Sequence, residues 1–193
     1  MNFVVFLTAI ISAIIVNNVV LMRYLGMCSF VGVSTKMKSS FGMGIAVTII
    51  MVLSTAITYP LYFYVLQPNI AYIDTVVFIL VIAVLVQLTE MLLKRFNKPL
   101  YNSFGLYLPL ITTNCAILGI AQIGVLPGIS GFGEAMALSI GSGIGYAVVM
   151  ILFTAIRVKL DSANIPKALK GAPIAFLVAG LMALAFLGFQ GLV

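Results

Sequence analysis

Two sulfurs dominate the chemistry available to this chain. Cys28 and Cys115 are its only cysteines, and it has no histidine. Imidazole metal sites and histidine proton relays are therefore excluded within the chain. No Cys/His cluster has zinc-site spacing, and two cysteines make no disulfide framework. Two thiolates do suit an iron–sulfur cluster, but such clusters normally take four protein ligands. If the chain holds a cluster, a second chain must supply the remainder, and the cluster lies at a subunit interface. The plain alternative is that each cysteine is a small apolar side chain buried for packing.

The settings of the two cysteines are unusual. Around Cys115 the chain reads LPLITTNCAILGIA, Leu108 to Ala121, inside an apolar stretch at 104–126. That stretch is long enough to cross the roughly 30 Å hydrocarbon core as a helix. Thr112, Thr113, Asn114 and Cys115 fall in its middle, where polarity is least tolerated, with Pro109 just before them. Proline removes a backbone donor, and side-chain amides and hydroxyls can satisfy the freed groups. The pattern predicts a broken helix whose opened backbone faces protein. Around Cys28 the stretch from Phe3 to Val33 carries Arg23 as its sole charge. About 30 residues exceed one simple crossing even with tilt. Asn17 and Asn18 sit near its middle, predicting a break and then a bent or re-entrant segment carrying Gly26, Cys28 and Gly32. The alternative is one helix ending near Met22 with the remainder at the interface. For the two sulfurs to meet on one small cluster, residues 19–33 must turn back into the membrane, with Gly26 and Gly32 relieving the backbone.

The elements that would position these residues follow from composition. The chain has 193 residues, 63% hydrophobic and 7% charged, too apolar to cover a soluble domain with polar surface. Its length allows about six crossings, placed at 3–22, 41–62, 72–93, 104–126, 134–156 and 171–190. The opening MNFVVFLTAIISAIIVNN has no basic flank and no small-residue cleavage site, so it reads as a helix and not as a cleavable signal. The net charge of +6 belongs to orienting charges and not to nucleic-acid binding. Arg23, Lys36 and Lys38 follow the first helix. Lys94, Arg95 and Lys98 follow the third, and Arg157, Lys159, Lys167 and Lys170 follow the fifth. All ten basic residues fall in alternate loops, which the positive-inside rule makes cytoplasmic, leaving both termini outside.

Three crossings followed by three more make the second half enter from the opposite side, as in inverted repeats. IIVNNVVLMRYLGM (Ile14–Met27) can be laid on LITTNCAILGIAQI (Leu110–Ile123), with Asn18 opposite Asn114. Gly141, Gly143 and Gly145, and likewise Ala175, Ala179 and Ala183, read as small-residue packing seams. GSGIG lies inside an apolar helix with no strand before it, so it is no phosphate loop. Asp74 and Glu134 start the third and fifth helices, where the helix dipole favours acid. Asp161 belongs to a cytoplasmic loop. Glu90, one turn before Lys94, is either a helix-end ion pair or a polar group beside an ion path.

Longer motifs then narrow the reading. VNNVVLMRYLGMCSFVGVS (Val16–Ser34), VVFILVIAVLVQLTEM (Val76–Met91), LPLITTNCAILG (Leu108–Gly119), the basic cytoplasmic loop and the closing GLMALAFLGFQGLV closely resemble the RnfA/NqrE family. These are membrane subunits of Rnf ion-translocating oxidoreductase complexes and of sodium-pumping NADH:quinone reductase. LITTNCAILG, and VNN ahead of LG-x-C, lie nearer the Rnf branch. The resemblance implies an all-α integral membrane protein in the bacterial cytoplasmic (inner) membrane. It implies six transmembrane helices as two inverted three-helix repeats, 1–98 and 99–193, with the first and fourth helices broken. It implies that Cys28 and Cys115, with two cysteines of a homologous RnfE-like subunit, hold a [2Fe-2S] cluster within the membrane, among Asn17, Asn18, Thr113 and Asn114. Flavins and NAD would sit on other subunits (B, C, D and G among the partners), with no complete active site in this chain. The complex would move electrons between ferredoxin and NAD, coupled to Na+ or H+ transport. The rival readings from the residues alone are a small secondary transporter, suggested by the inverted halves and polar midplane, and a structural membrane scaffold.

Overall fold

The computed structural model describes residues 8, 10–14, 18–34, 37–66, 73–96, 108–126, 129, 131–162, 166 and 169–188. Two long helices form its spine. Helix α3 (Met37–Leu61) and helix α7 (Phe132–Asp161) pack antiparallel along most of their length. Gly44 lies against Ala147 and Gly143 against Thr48. The Thr48 hydroxyl shares its one proton between the Gly44 and Gly143 carbonyls, 2.7 and 3.0 Å away. Thr55 reaches Ser139 at 3.2 Å, and Thr154 donates to Ser40 at 2.7 Å. Small residues let the backbones approach, and hydroxyls knit them where there is no water to drive association.

Around this spine stand helix α4 (Asp74–Phe96) and helix α8 (Ala172–Leu187). Between them lie four short helices: α1 (Val19–Arg23), α2 (Met27–Val33), α5 (Leu108–Thr112) and α6 (Cys115–Ile123). Residues 10–14 are also helical. No strand occurs among the described residues. Among the described residues three helices are long and apolar enough to cross a membrane: Met37–Tyr64, Asp74–Met91 and Phe132–Asp161. The outer surface is apolar. Ile45, Ile49, Leu53 and Ile57 form an exposed stripe on α3, and Ile144, Val148, Leu152 and Ile156 form one on α7. Inside, Ser40, Ser54, Thr55, Thr58, Ser139, Ser142 and Thr154 are buried. Apolar residues outside and hydroxyls within are the arrangement a lipid solvent selects. These features make an all-α membrane protein.

Several boundaries depart from the sequence reading. Helix α7 runs to Asp161, so Arg157, Lys159 and Asp161 are helical and not loop residues. Helix α3 starts at Met37, before the expected 41, and ends in a π-helical turn, Tyr62–Leu66. Pro60 lies inside it and removes one backbone donor, which favours the wider turn. Pro109 lies within α5, and the break that follows falls at Thr113 and Asn114, where the Asn114 side chain caps α6. Arg23 is the main correction. Lys38 starts α3 beside the C-terminal end of α7, where Arg157 and Lys159 stand. Arg23 instead lines a cavity of about 480 Å³ with Asp74, Tyr62, Gly119 and Gln122, at the end of the bundle where α4 begins. The single turn of α1 followed by a reversal carries it away from the other basic residues. Asn17, Lys36, Lys98 and Lys167 lie outside the described residues.

The glycines of α7 are the positions that most limit this packing. A Cβ on Gly141 would stand 3.0 Å from the Ile10 carbonyl oxygen and 3.1 Å from its Cα, and one on Gly145 3.2 Å from Ile14 Cα. A Cβ on Gly180 meets nothing within 4 Å. Gly141→Leu should therefore lower the amount of protein in membranes and its melting temperature in detergent, while Gly180→Ala leaves both unchanged. Equal behaviour of the two variants would show that the close approach of residues 10–14 to α7 is unimportant.

Candidate functional site

Both predicted breaks are present, and they are built alike. Asn18 precedes α1 with φ −64° and ψ 118°, and its side chain accepts from the Val20 N–H at 3.1 Å. Asn114 precedes α6 with φ −74° and ψ 110°, and its side chain accepts from the Ala116 N–H at 3.0 Å. An asparagine in this role satisfies one of the amides that a helix start leaves unpaired. Asn18 also closes the other side of its break, its amide donating to the Ile14 carbonyl at 3.2 Å. At the second break the Asn114 N–H bonds the Ile111 carbonyl at 3.2 Å. Both asparagines are buried. Thr113 is exposed at the turn between α5 and α6.

After α1 the chain reverses. Tyr24 adopts the left-handed conformation at φ 53° and Gly26 at φ 87°. Gly26 is required there twice over. Its φ disfavours any side chain, and a Cβ would sit 3.2 Å from both Ala116 Cβ and Tyr146 Cε2. The reversal places Gly26 against the start of α6, where its N–H donates to Cys115 Sγ at 2.9 Å. Two residues further, in the first turn of α2, stands Cys28. The turn back toward Cys115 is thus observed, and Gly26 supports it. Gly32 does not: it is helical, and a Cβ there would make an ordinary 3.5 Å contact with Leu110.

A polar cluster that the sequence reading missed ties the two starts together. The Ser29 hydroxyl donates to the Gly26 carbonyl at 2.9 Å, accepts from Asn114 Nδ2 at 3.2 Å and lies 2.8 Å from the Tyr146 hydroxyl. The far end of α2 is also held. Arg157 donates to the Val31 carbonyl and the Ser34 hydroxyl, each at 2.7 Å. A cation at a helix C-terminus satisfies its last carbonyls. Ser29 beside Cys28, and a tyrosine within the glycine run GSGIGY, are the only signals for this cluster in the sequence.

Both cysteines are exposed on the surface of the chain taken alone. Cys115 is the first residue of α6, at the positive end of that helix. Among the described residues no three Cys, His, Asp or Glu side chains converge to hold a metal ion. Two surface-exposed cysteines, Cys115 starting the Asn114-capped α6 and Cys28 in the first turn of α2, could supply two of the four thiolates that an iron–sulfur cluster normally takes. Glu90 is half-buried near the end of α4, and the side chain of Lys94 lies outside the described residues. Asp74 and Glu134 stand in the first turns of α4 and α7 as expected.

The caps themselves can be tested. Asn18→Ala and Asn114→Ala each remove a buried cap and should cost about 1–2 kcal/mol, read as earlier thermal unfolding in detergent. Serine at either position retains a capping oxygen and should recover part of the loss. Wild-type melting of both alanine variants would mean that the breaks are held by something else.

Comparison with known proteins agrees with this geometry. Residues 6–193 match the family model described as Rnf-Nqr subunit, membrane protein. The chain is 50% identical to the A subunit of the Na(+)-translocating ferredoxin:NAD(+) oxidoreductase complex of Acetobacterium woodii, covering 94% of this chain and 95% of the relative. It is 45% identical to the A subunit of the ion-translocating oxidoreductase complex of Syntrophotalea carbinolica and 46% identical to the protein of the same description in Aliivibrio fischeri, with 97% of each chain covered in both pairs. The motifs around Cys28 and Cys115, the broken helices that carry them and the full-length match lead to one conclusion: the chain belongs to the Rnf-Nqr family of membrane subunits.

Proposed function

We propose that this chain is the RnfA-type subunit of an ion-translocating ferredoxin:NAD oxidoreductase complex and carries electrons through the membrane by a [2Fe-2S] cluster shared with a homologous, RnfE-like subunit. The observation that carries the reading is the pairing at the two breaks. Cys115, held by the Gly26 N–H, and Cys28, two residues beyond Gly26, both face outward from a buried hydrogen-bonded base. When bound, such a cluster accepts and returns one electron at a time. This chain's part is to supply two of the four thiolates, to hold them in the first turns of α6 and α2 and to leave their open side to the partner. Ferredoxin, flavins and NAD belong to other subunits of the complex, B, C, D and G among them, and no complete active site lies in this chain.

Six crossings in two inverted halves accord with the packing. Helix α3 of the first half lies against α6 of the second, while α7 of the second lies against α1 of the first. The two asparagine caps occupy equivalent places in the halves. The end of the bundle carrying Lys38, Arg157 and Lys159 is the cytoplasmic one, which puts both termini outside in the bacterial inner membrane.

The test is spectroscopic. The purified complex should show the absorption and EPR signature of a [2Fe-2S] centre, and Cys28→Ser or Cys115→Ser should remove it. Each should also abolish electron transfer across the membrane while flavin reduction on the soluble side continues. The chain expressed without its partner should hold no stable cluster. Full ferredoxin-to-NAD turnover with ion transport in either serine variant would defeat the electron-conduit role. Orientation is tested separately: a cysteine placed near Lys98 should resist an impermeant thiol reagent added to intact cells, and labelling from outside would reverse it.

A further inference from the structure

We infer that Tyr146, acting through Ser29, is a positioning residue that holds the Cys28 and Cys115 turns in register and sets the potential of the redox group they carry. This rests on the shared-cluster reading above. A serine hydroxyl has one proton and two lone pairs. The proton of Ser29 goes to the Gly26 carbonyl at 2.9 Å, since a carbonyl can only accept. The 2.8 Å contact with Tyr146 must then be the phenol donating to Ser29 Oγ. Asn114 Nδ2 donates into the remaining lone pair at 3.2 Å. Ser29 is thereby saturated, and three separate elements meet on it: α7 through Tyr146, α2 through Ser29 itself, and the α5/α6 break through Asn114.

The hydrogen bonds have a direction. They run from the Tyr146 hydroxyl to Ser29, from Ser29 to the Gly26 carbonyl, and from the Gly26 N–H to Cys115 Sγ at 2.9 Å. The Tyr146 ring is also the wall against Gly26, its Cε2 lying 3.2 Å from where a Cβ would stand. Tyr146 is 1% and Ser29 0% exposed. In so dry a place each bond is strengthened and each unmet polar group is costly. A phenylalanine would fill the same volume with no polar atom, so the hydroxyl is there for what it holds. Hydrogen bonds to the sulfurs are among the factors that set an iron–sulfur potential. A donor aimed at sulfur stabilises the more negative reduced state, so loosening Gly26 lowers the midpoint potential.

The experiment uses the complete complex carrying Tyr146→Phe, with Ser29→Ala as a second variant. Thr55→Val is the control, because it removes a hydroxyl contact to Ser139 elsewhere on α7, where α3 packs. In an EPR-monitored redox titration Tyr146→Phe should keep the cluster signal at a lower midpoint potential. Ser29→Ala should shift the same way and Thr55→Val should not shift. Independently, in membranes holding the full chain without its cluster, a bifunctional thiol reagent should bridge Cys28 and Cys115. Bridging should be roughly three- to tenfold slower in Tyr146→Phe, the factor that corresponds to one buried hydrogen bond. An unmoved potential with unmoved bridging, or an equal shift in Thr55→Val, would overturn the positioning role and leave the shared cluster standing. A wild-type complex with no iron–sulfur signal would overturn the cluster reading instead, and the bridging rates would still decide for or against Tyr146.

Discussion

Inside a bilayer a chain has no water to pair with its peptide groups, so interrupting a helix there must be answered group by group. Two helices of this protein are interrupted, and asparagine answers both times. Its side chain is short, accepts at the oxygen and donates at the nitrogen. At the first break one side chain serves both edges, taking the Val20 N–H and giving to the Ile14 carbonyl. At the second the oxygen again takes the first free N–H, but the nitrogen is spent on Ser29, which belongs to another segment. That difference organises the site. The first break is self-contained, whereas the second recruits the turn that carries Cys28.

Close approach is the other requirement, and α7 supplies it. Gly141 and Gly145 admit residues 10–14 and the Asn18 amide, which would otherwise stand a side chain further out. Tyr146 follows at once and reaches the reversal at Gly26. Phe153 stacks on Phe30 with ring centroids 4.2 Å apart, and Arg157 ends α2. One helix therefore contacts the first break, the turn and both ends of the Cys28 helix in succession. A membrane interior packed this way transmits small displacements, because close-packed side chains do not deform smoothly.

What can be read from the sequence is what leaves a local mark. Polar residues at mid-span announce the break before Cys115, and excess length announces the one before Cys28. Cysteine counting alone sets the condition that any four-ligand cluster here needs outside ligands. Pro109 marks the break only loosely, since the capping itself is done by Asn114. Arg23 is misplaced by charge counting, which assigns a residue to the loop that follows its helix, and a re-entrant turn has no such loop. Ser29 and Tyr146 leave almost no mark. A serine in an apolar run and a tyrosine after glycines are ordinary, and their meeting across 117 positions depends on packing. Arg157 is legible as an orienting charge, and its second task, ending α2, depends on where that helix lies.

The exposed side of the site carries the last step. Thr113, Cys28 and Cys115 reach the surface of the chain beside buried Asn18, Asn114 and Ser29. The surrounding helices show lipid the stripes of Ile, Leu and Val expected of them. Leaving Thr113 and the two cysteines of this surface against hydrocarbon would be costly. A chain that covered it with an equivalent face would remove that cost and bring further thiols to the same point. Under the shared-cluster proposal, covering by a homologous subunit would meet the demand of the lipid and the demand of the ligand count with one contact.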